Sequence, residues 1–410
     1  MIYKSKISLI IFIVFLSVIN VSFSQTNKKT NEKDPSNDRL LISDSLKWSE
    51  RMALSILKRN PKAWDIDYIP EPKWEYKVGL VLKAYERLYE ATKNEAYYNY
   101  IKDFVDTMID STGTIKGYEL ESYNIDLINS GKLLFNLYDK TKEDRYLVAI
   151  KTLSKQLENH PRTKSGGFWH KKIYPNQMWL DGLYMGEPFY AQYTVEFENG
   201  KNLDDVAHQF ELLHKHAFDK KTGLYFHAWD ESKQMPWANK ETGTAPNIWL
   251  RALGWYAMAL VDVLDYMPEA HPKHQELVVY LNELAEASSH FQDESGLWYQ
   301  VPNMQNKEGN YLEASGSAMF IYAFAKGTHK GYLPNKFETI ANKGFDGLIN
   351  KLVTVDEDGE VHLNQICKSA GLGGNPYRDG SYGYYLSEPI LTDNSHGLGP
   401  FIMAALELRR

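Results

Sequence analysis

The chain has 410 residues, a net charge of −7 and 43% hydrophobic residues, enough for a large buried core in one or two domains. An acidic balance without basic patches among aromatics argues against nucleic acid as a partner. Aromatics reach 13%, with 28 Tyr and 10 Trp, side chains that stack on sugar rings and equally fill cores.

The N-terminus begins with a basic stretch, "MIYKSK", followed by the apolar run "ISLIIFIVFLSVINV" and the small-residue segment "SFSQ". This is the pattern of a signal peptide over residues 1–24, cut after Ser24; an uncleaved membrane anchor is the alternative. Export to the periplasm is expected, with secretion also open and no stable membrane association after cleavage. The lone cysteine, Cys367, cannot form an internal disulfide, so the exported chain folds without staples. Residues 25–44 are polar and read as a disordered tether, which leaves 45–410 as a single domain.

Apolar residues at three- and four-residue spacing predict twelve helices. In chain order they cover 45–59, 76–92, 95–109, 124–141, 144–159, 180–197, 202–218, 247–267, 274–292, 314–327, 335–353 and 396–408. Alternate members, such as "NIWLRALGWYAMAL" and "ASGSAMFIYAFA", are apolar on nearly all sides, whereas "HQELVVYLNELAEA" is amphipathic. Six buried helices inside six half-exposed ones describe an all-α fold, a closed (α/α)6 barrel. An open helical solenoid or a two-domain helical protein is the alternative. Between helix pairs, Gly-led arms at 113, 166, 223, 296 and 359 predict short β-hairpins in the loops.

Asp181 and Asp126 fall at the starts of two inner helices, hence at the same mouth of the barrel. Two carboxylates across a cleft suit glycosidic chemistry. Each can instead satisfy free N–H groups of a helix start. Asp181 lies among Trp179, Gly182 and Tyr184, so partial desolvation is expected to raise its pKa, as a general acid needs. His227 lies on the arm "YFHAWD", as a binding or a structural residue. Arg251 sits in an apolar inner helix between Trp249 and Trp255, and a buried Arg needs an anion from the protein or a ligand. The two tryptophans fit a sugar site or plain core. The Gly-rich loop 371–389 carries Tyr377, Arg378, Tyr382, Tyr384 and Tyr385, and reads as a sugar-binding wall or a long connection. It lacks phosphate-loop spacing. No HExxH or cysteine cluster suggests a metal, no cofactor is expected, and Ser317 lacks the context of a nucleophile elbow.

The segments "MWLDGLYMGEPFYAQY", "HAWD", "IWLRALGW", "EASGSAMFIYAFAKG" and "GGNPYRDGSYGYYLSEPI" together resemble glycoside hydrolase family 105, related to family 88. These are unsaturated rhamnogalacturonyl and glucuronyl hydrolases, and the match runs from Lys47 to the end. The resemblance implies an (α/α)6 barrel acting on oligosaccharides whose non-reducing end is a 4,5-unsaturated uronic acid. In that family a carboxylic acid protonates C4 of the double bond and water adds at C5. The hemiketal then opens and releases the aglycone, here expected to be rhamnose, sulfated or not. The resemblance assigns the proton donor and base to Asp181, and contact with the ring hydroxyls to Asp126. Substrate binding falls to His227, Trp249, Arg251 and Trp255, with Tyr76, Trp179 and Arg378 as further candidates. Many members carry Gly-Asn after the Arg, where this chain has Ala252 and Leu253, which puts the contacts beyond the uronate in doubt. The rivals are an epimerase or inverting glycosidase on the same barrel, or a non-catalytic sugar binder. Such epimerases use paired histidines, and the 12 His here show no obvious pair in inner-helix first turns.

Overall fold

The computed structural model describes residues 41–410; the expected signal peptide lies outside the described residues, as does most of the tether. The tether is expected to run to residue 44. Ile42 is buried, and its N–H donates to the Asp358 carbonyl at 2.9 Å, so ordered chain begins before residue 44. The Gly359 turn makes room for this contact. Its φ is 83°, and a Cβ there would stand 1.9 Å from the Ile42 carbonyl oxygen.

Outer and inner helices alternate along the chain. Outer α1 (Trp48–Arg59) precedes inner α2 (Tyr76–Thr92), and outer α3 (Glu95–Met108) precedes inner α4 (Leu133–Thr141). Then come outer α5 (Asp144–Glu158), strand β1 (Gln177–Trp179), inner α6 (Leu180–Glu198), outer α7 (Leu203–Ala217) and strand β2 (Ala228–Asp230). Inner α8 (Leu250–Val263), outer α9 (His274–Ser289), inner α10 (Ala314–His329) and outer α11 (Lys336–Gly347) follow. Strands β3 (Val353–Val355), β4 (Val361–Leu363) and β5 (Ile366–Cys367), short helix α12 (Tyr382–Ser387) and β6 (Ile390–Leu391) lead to inner α13 (Ser395–Glu407).

The inner ring closes. α2 packs on the chain at 125–132, which packs on α6; α6 meets α8, α8 meets α10, α10 meets α13, and α13 returns to α2. The last seam is tight: a Cβ on Gly399 would approach the Leu80 carbonyl oxygen to 2.9 Å. Apolarity sets the layers. Every residue of α8 is buried, whereas α3 buries Tyr97, Ile101, Phe104, Val105 and Met108 on one face.

Two expectations need correction. Residues 125–132, expected as α-helix, form a 3-10 segment (Ile125–Lys132). Its polar side chains bond elsewhere: Asn124 caps the Asp126 N–H, Asn129 donates to the Tyr76 carbonyl, and Ser130 to the Glu75 carbonyl. Most Gly-led arms are single bridges rather than hairpins, pairing Ile109 with Ile115, Arg162 with Phe168 and Tyr299 with Leu312. Strands form from the arms at 223 and 359, where β1 pairs with β2 and β3 with β4. Among the described residues, no helix is long and apolar enough to cross a membrane.

The C-terminal ends of the inner helices meet around an ion network. Asp262 Oδ1 accepts from Arg87 at 2.9 Å, Tyr322 at 2.6 Å and Lys326 at 2.6 Å. Burial pushes this carboxyl upward, but Lys326 and Arg87 outweigh it and hold it well below the usual carboxylate range. Asp262→Asn leaves Arg87 and Lys326 to share Asp265 as their one remaining carboxylate. It should cost about 3–5 kcal/mol in urea unfolding near neutral pH. Because the folded pKa is depressed, this contribution is complete above the unfolded value of about 3.9 and shrinks as pH falls below it. A penalty that stays constant down to low pH would contradict this assignment.

Candidate active site

A cavity opens at each mouth of the barrel. The one at the C-terminal ends of the inner helices, about 440 Å³, is lined in part by Arg87, Asp262 and Asp265, whose charges already pair with one another. The one at the N-terminal ends, about 410 Å³, is lined by Tyr76, Asp126, Trp179, Asp181 and Arg378 among others. The second gathers the carboxylates singled out in the sequence, at helix starts where the backbone dipole favours anions.

Strand β1 runs directly into α6, with Trp179 as N-cap and Asp181 in the first turn. β1 pairs antiparallel with β2, and the Leu180 N–H donates to the His227 carbonyl at 3.1 Å. This pairing lays His227 beside the start of α6. Its Nε2 lies 3.1 Å from Asp181 Oδ2, and its Nδ1 lies 2.7 Å from the Tyr385 hydroxyl. Burial pushes the Tyr385 phenol well above its ordinary value, so it stays protonated. The proton that His227 donates to Asp181 is the one on Nε2.

The expected rise in the Asp181 pKa is not found. Burial does push it upward, but His227 outweighs that effect through its charge interaction and hydrogen bond, with His170 and the backbone adding to it. The net position is below the ordinary aspartate value.

Asp126 opens the 3-10 segment. Its Oδ2 lies 2.6 Å from Lys171 Nζ and its Oδ1 lies 3.4 Å from His170 Nε2. His170 stacks on Trp179 at 4.4 Å, and Tyr174 stacks on the same indole at 5.1 Å. Burial lowers the His170 pKa to about 4, so the ring is neutral near pH 7. Arg378 donates to the Gly373 carbonyl and to the Tyr174 hydroxyl, each at 2.9 Å, and so braces the Gly-rich loop against this stack.

His227, Trp249, Arg251 and Trp255 do not line the cleft; all four are buried behind it. Trp249 stacks with Tyr385, and Trp255 with Tyr184. The Arg251 Nη1 donates to the Cys367 carbonyl at 2.5 Å and to Ser315 Oγ at 3.2 Å, while its Nε has no partner. Among the described residues no carboxylate lies within 4.0 Å of this guanidinium; Glu313 is reached through the Ser315 hydroxyl and the Cys367 peptide. In front of it, Tyr76 donates to His396 Nε2 at 2.8 Å, and His396 Nδ1 donates to Asn394 at 2.7 Å. Burial, then the charge of Arg251, depresses the His396 pKa well below its ordinary value.

Several groups at this mouth were not singled out in the sequence. His170 and His396 join His227 here, and only His396 comes from an inner-helix first turn. His170 and Lys171 lie on the arm that begins at Gly166, and Tyr385 lies in the loop whose tyrosines were noted as a group. Glu75 also lines the cleft. Burial raises its pKa, and its Oε2 has no partner. Among the described residues, no cluster of His, Cys, Asp or Glu could hold a metal ion.

The sequence profile of Glycosyl Hydrolase Family 88 matches residues 48–410. The chain belongs to this family. The structure is similar to that of a C. acetobutylicum glycoside hydrolase from family 105, which is 46% identical with a TM-score of 0.85. The match covers 89% of this chain and 99% of that one. Protein Atu3128 of Agrobacterium fabrum is 38% identical over 54% of this chain and 97% of its own length. The unsaturated rhamnogalacturonyl hydrolase YesR of Bacillus subtilis is 28% identical over 70% of this chain and 78% of its own. The (α/α)6 barrel is the fold of these families, and this family 88/105 chain is a glycoside hydrolase.

Removing His227 should remove the largest influence that lowers the Asp181 pKa. In His227→Asn the Asp181 pKa is expected to rise, read from carboxyl carbon NMR and assigned by difference from Asp181→Asn. An unchanged or lower value would show that His227 does not set it.

Proposed function

We propose that this glycoside hydrolase removes a 4,5-unsaturated uronic acid from the non-reducing end of lyase-generated oligosaccharides by hydrating the C4=C5 bond. The observation that carries the reading is the pairing of Asp181 with His227 at one mouth, in front of a buried arginine without a carboxylate partner. The site is built to receive one anionic ring and one proton.

The substrate carboxylate lies toward Arg251, whose charge reaches the cleft through the Tyr76–His396 wall. Its negative charge then raises the pKa of the nearby Asp181, because a second anion disfavours a carboxylate. Asp181 thus takes up a proton when substrate is bound, although its free form lies below the ordinary aspartate value. It delivers that proton to C4. The cation developing at C5 is captured by water as the regenerated carboxylate accepts a proton from it. The hydrogen bond from His227, held by Tyr385, fixes the direction in which Asp181 faces. Asp126, clamped by Lys171, accepts hydrogen bonds from ring hydroxyls. The C5 hemiketal opens to a C5 ketone and leaves C1 of the uronate as a hemiacetal, which collapses to an aldehyde as the C1–O bond breaks and the aglycone leaves as an alcohol carrying the hydroxyl proton.

Rhamnose as the sugar after the uronate fits the activity for which the B. subtilis relative is named. Sulfation of that rhamnose, as in ulvan fragments, is a finer alternative. The N-terminal sequence supports a periplasmic site of action on imported oligomers.

The test follows loss of the conjugated double bond by ultraviolet absorbance, with lyase products of rhamnogalacturonan, ulvan, glucuronoxylan and glycosaminoglycans. The wild type should bleach at least one of them. Asp181→Asn should lower kcat by about 10²–10⁴-fold. Arg251→Met should raise KM by about tenfold, since it removes the positive charge behind the Tyr76–His396 wall. Cleavage of saturated glycosides without bleaching would overturn the reading.

A further inference from the structure

At the outer lip of the cleft stands Tyr68, 84% exposed yet part of the cleft lining. No other large hydrophobic side chain among the described residues is so exposed. Its backbone is unusual. Asp67 and Tyr68 have φ of 65° and 56°, two consecutive non-glycine residues in the left-handed region, where L side chains crowd the backbone. Such a conformation persists only where its surroundings over-determine it.

Asp67 supplies that restraint. Its Oδ2 accepts from Ser395 Oγ at 2.6 Å and Lys77 Nζ at 3.0 Å, and its Oδ1 accepts from the Ser395 N–H at 2.9 Å and Asn394 Nδ2 at 3.2 Å. Ile66, one residue earlier, is buried in the core. The turn is therefore pinned from both sides to the N-terminus of α13, where Asn394 also orients His396. Two successive left-handed residues are unfavourable for folding alone, and such strain clusters where a surface is held ready for a ligand.

We propose that Tyr68 is the stacking platform for the sugar ring that follows the uronate, a pyranose presenting an apolar C–H face. This deepens the proposed function and rests on it for the placement of the uronate. The carboxylates and the nearly buried Trp179 occupy the inner part of the cleft, so the uronate goes there and the next ring reaches the lip. Tyrosine suits this task because it offers a large rigid face at low cost in side-chain entropy.

The test measures binding by calorimetry to Asp181→Asn protein, which should retain unreacted substrate. The ligands are an unsaturated uronate methyl glycoside and the corresponding unsaturated uronyl-rhamnose disaccharide. Asp181→Asn should bind the disaccharide more tightly. Adding Tyr68→Ala should weaken the disaccharide about five- to tenfold and the methyl glycoside by less than about twofold, while Tyr68→Phe keeps the difference. Equal losses for both ligands, no loss for either, or no binding of either ligand to Asp181→Asn would overturn the platform. Failure of the hydrolase reading is seen separately, as a wild type that bleaches no unsaturated uronide. The binding contrast would then still decide the role of Tyr68.

Discussion

The return of α13 onto α2 is the constraint on which the site depends. Once that seam closes, the N-termini of the inner helices face a common mouth, and first-turn residues far apart in sequence become neighbours. Asp126 and Asp181 reach the cleft in this way, and His396 joins from the last helix. The seam tolerates little: Gly399 is there because a methyl group would meet the Leu80 carbonyl.

At that mouth, Asp181 is set by opposing forces. Burial favours its neutral acid form, and the hydrogen bond from His227 favours the carboxylate, which wins in the free protein. In the proposed reaction, an acid that must protonate carbon is thereby left sensitive to one further charge. The substrate carboxylate would bring that charge and couple protonation of the acid to occupancy of the site. The two ends of the barrel differ in how they treat buried cations. Arg87 and Lys326 are matched by Asp262 within the protein, whereas Arg251 has hydroxyl and carbonyl partners and no carboxylate within 4.0 Å.

Much of this was legible in the sequence. The alternation of wholly apolar and amphipathic helices carries the barrel, and it depends only on local periodicity. Asp181 stood out as a carboxylate among aromatic residues, and Asp126 as a second carboxylate at an inner-helix start. What stayed hidden depends on long-range contacts. Tyr385 acts on His227 across 158 positions, and Tyr76 meets His396 across 320. Nothing local marks either pair. The expected rise in the Asp181 pKa had the right sign for burial and failed because the opposing histidine arrives through the β1–β2 pairing. The 3-10 winding at 125–132 was likewise hidden, since its cause is the set of bonds from Asn129 and Ser130 to the start of α2.

The most direct test of the central claim is proton NMR of a reaction run in D2O with an unsaturated uronyl disaccharide, sampled before products exchange with solvent. Hydration predicts that the vinyl signal of C4 disappears in step with release of the aglycone, with deuterium entering at C4 on one face of the ring. Release of the aglycone together with a free unsaturated uronate whose vinyl signal survives would contradict it. The bond would then have been cleaved directly at C1, and Asp181 would be an ordinary glycosidic acid.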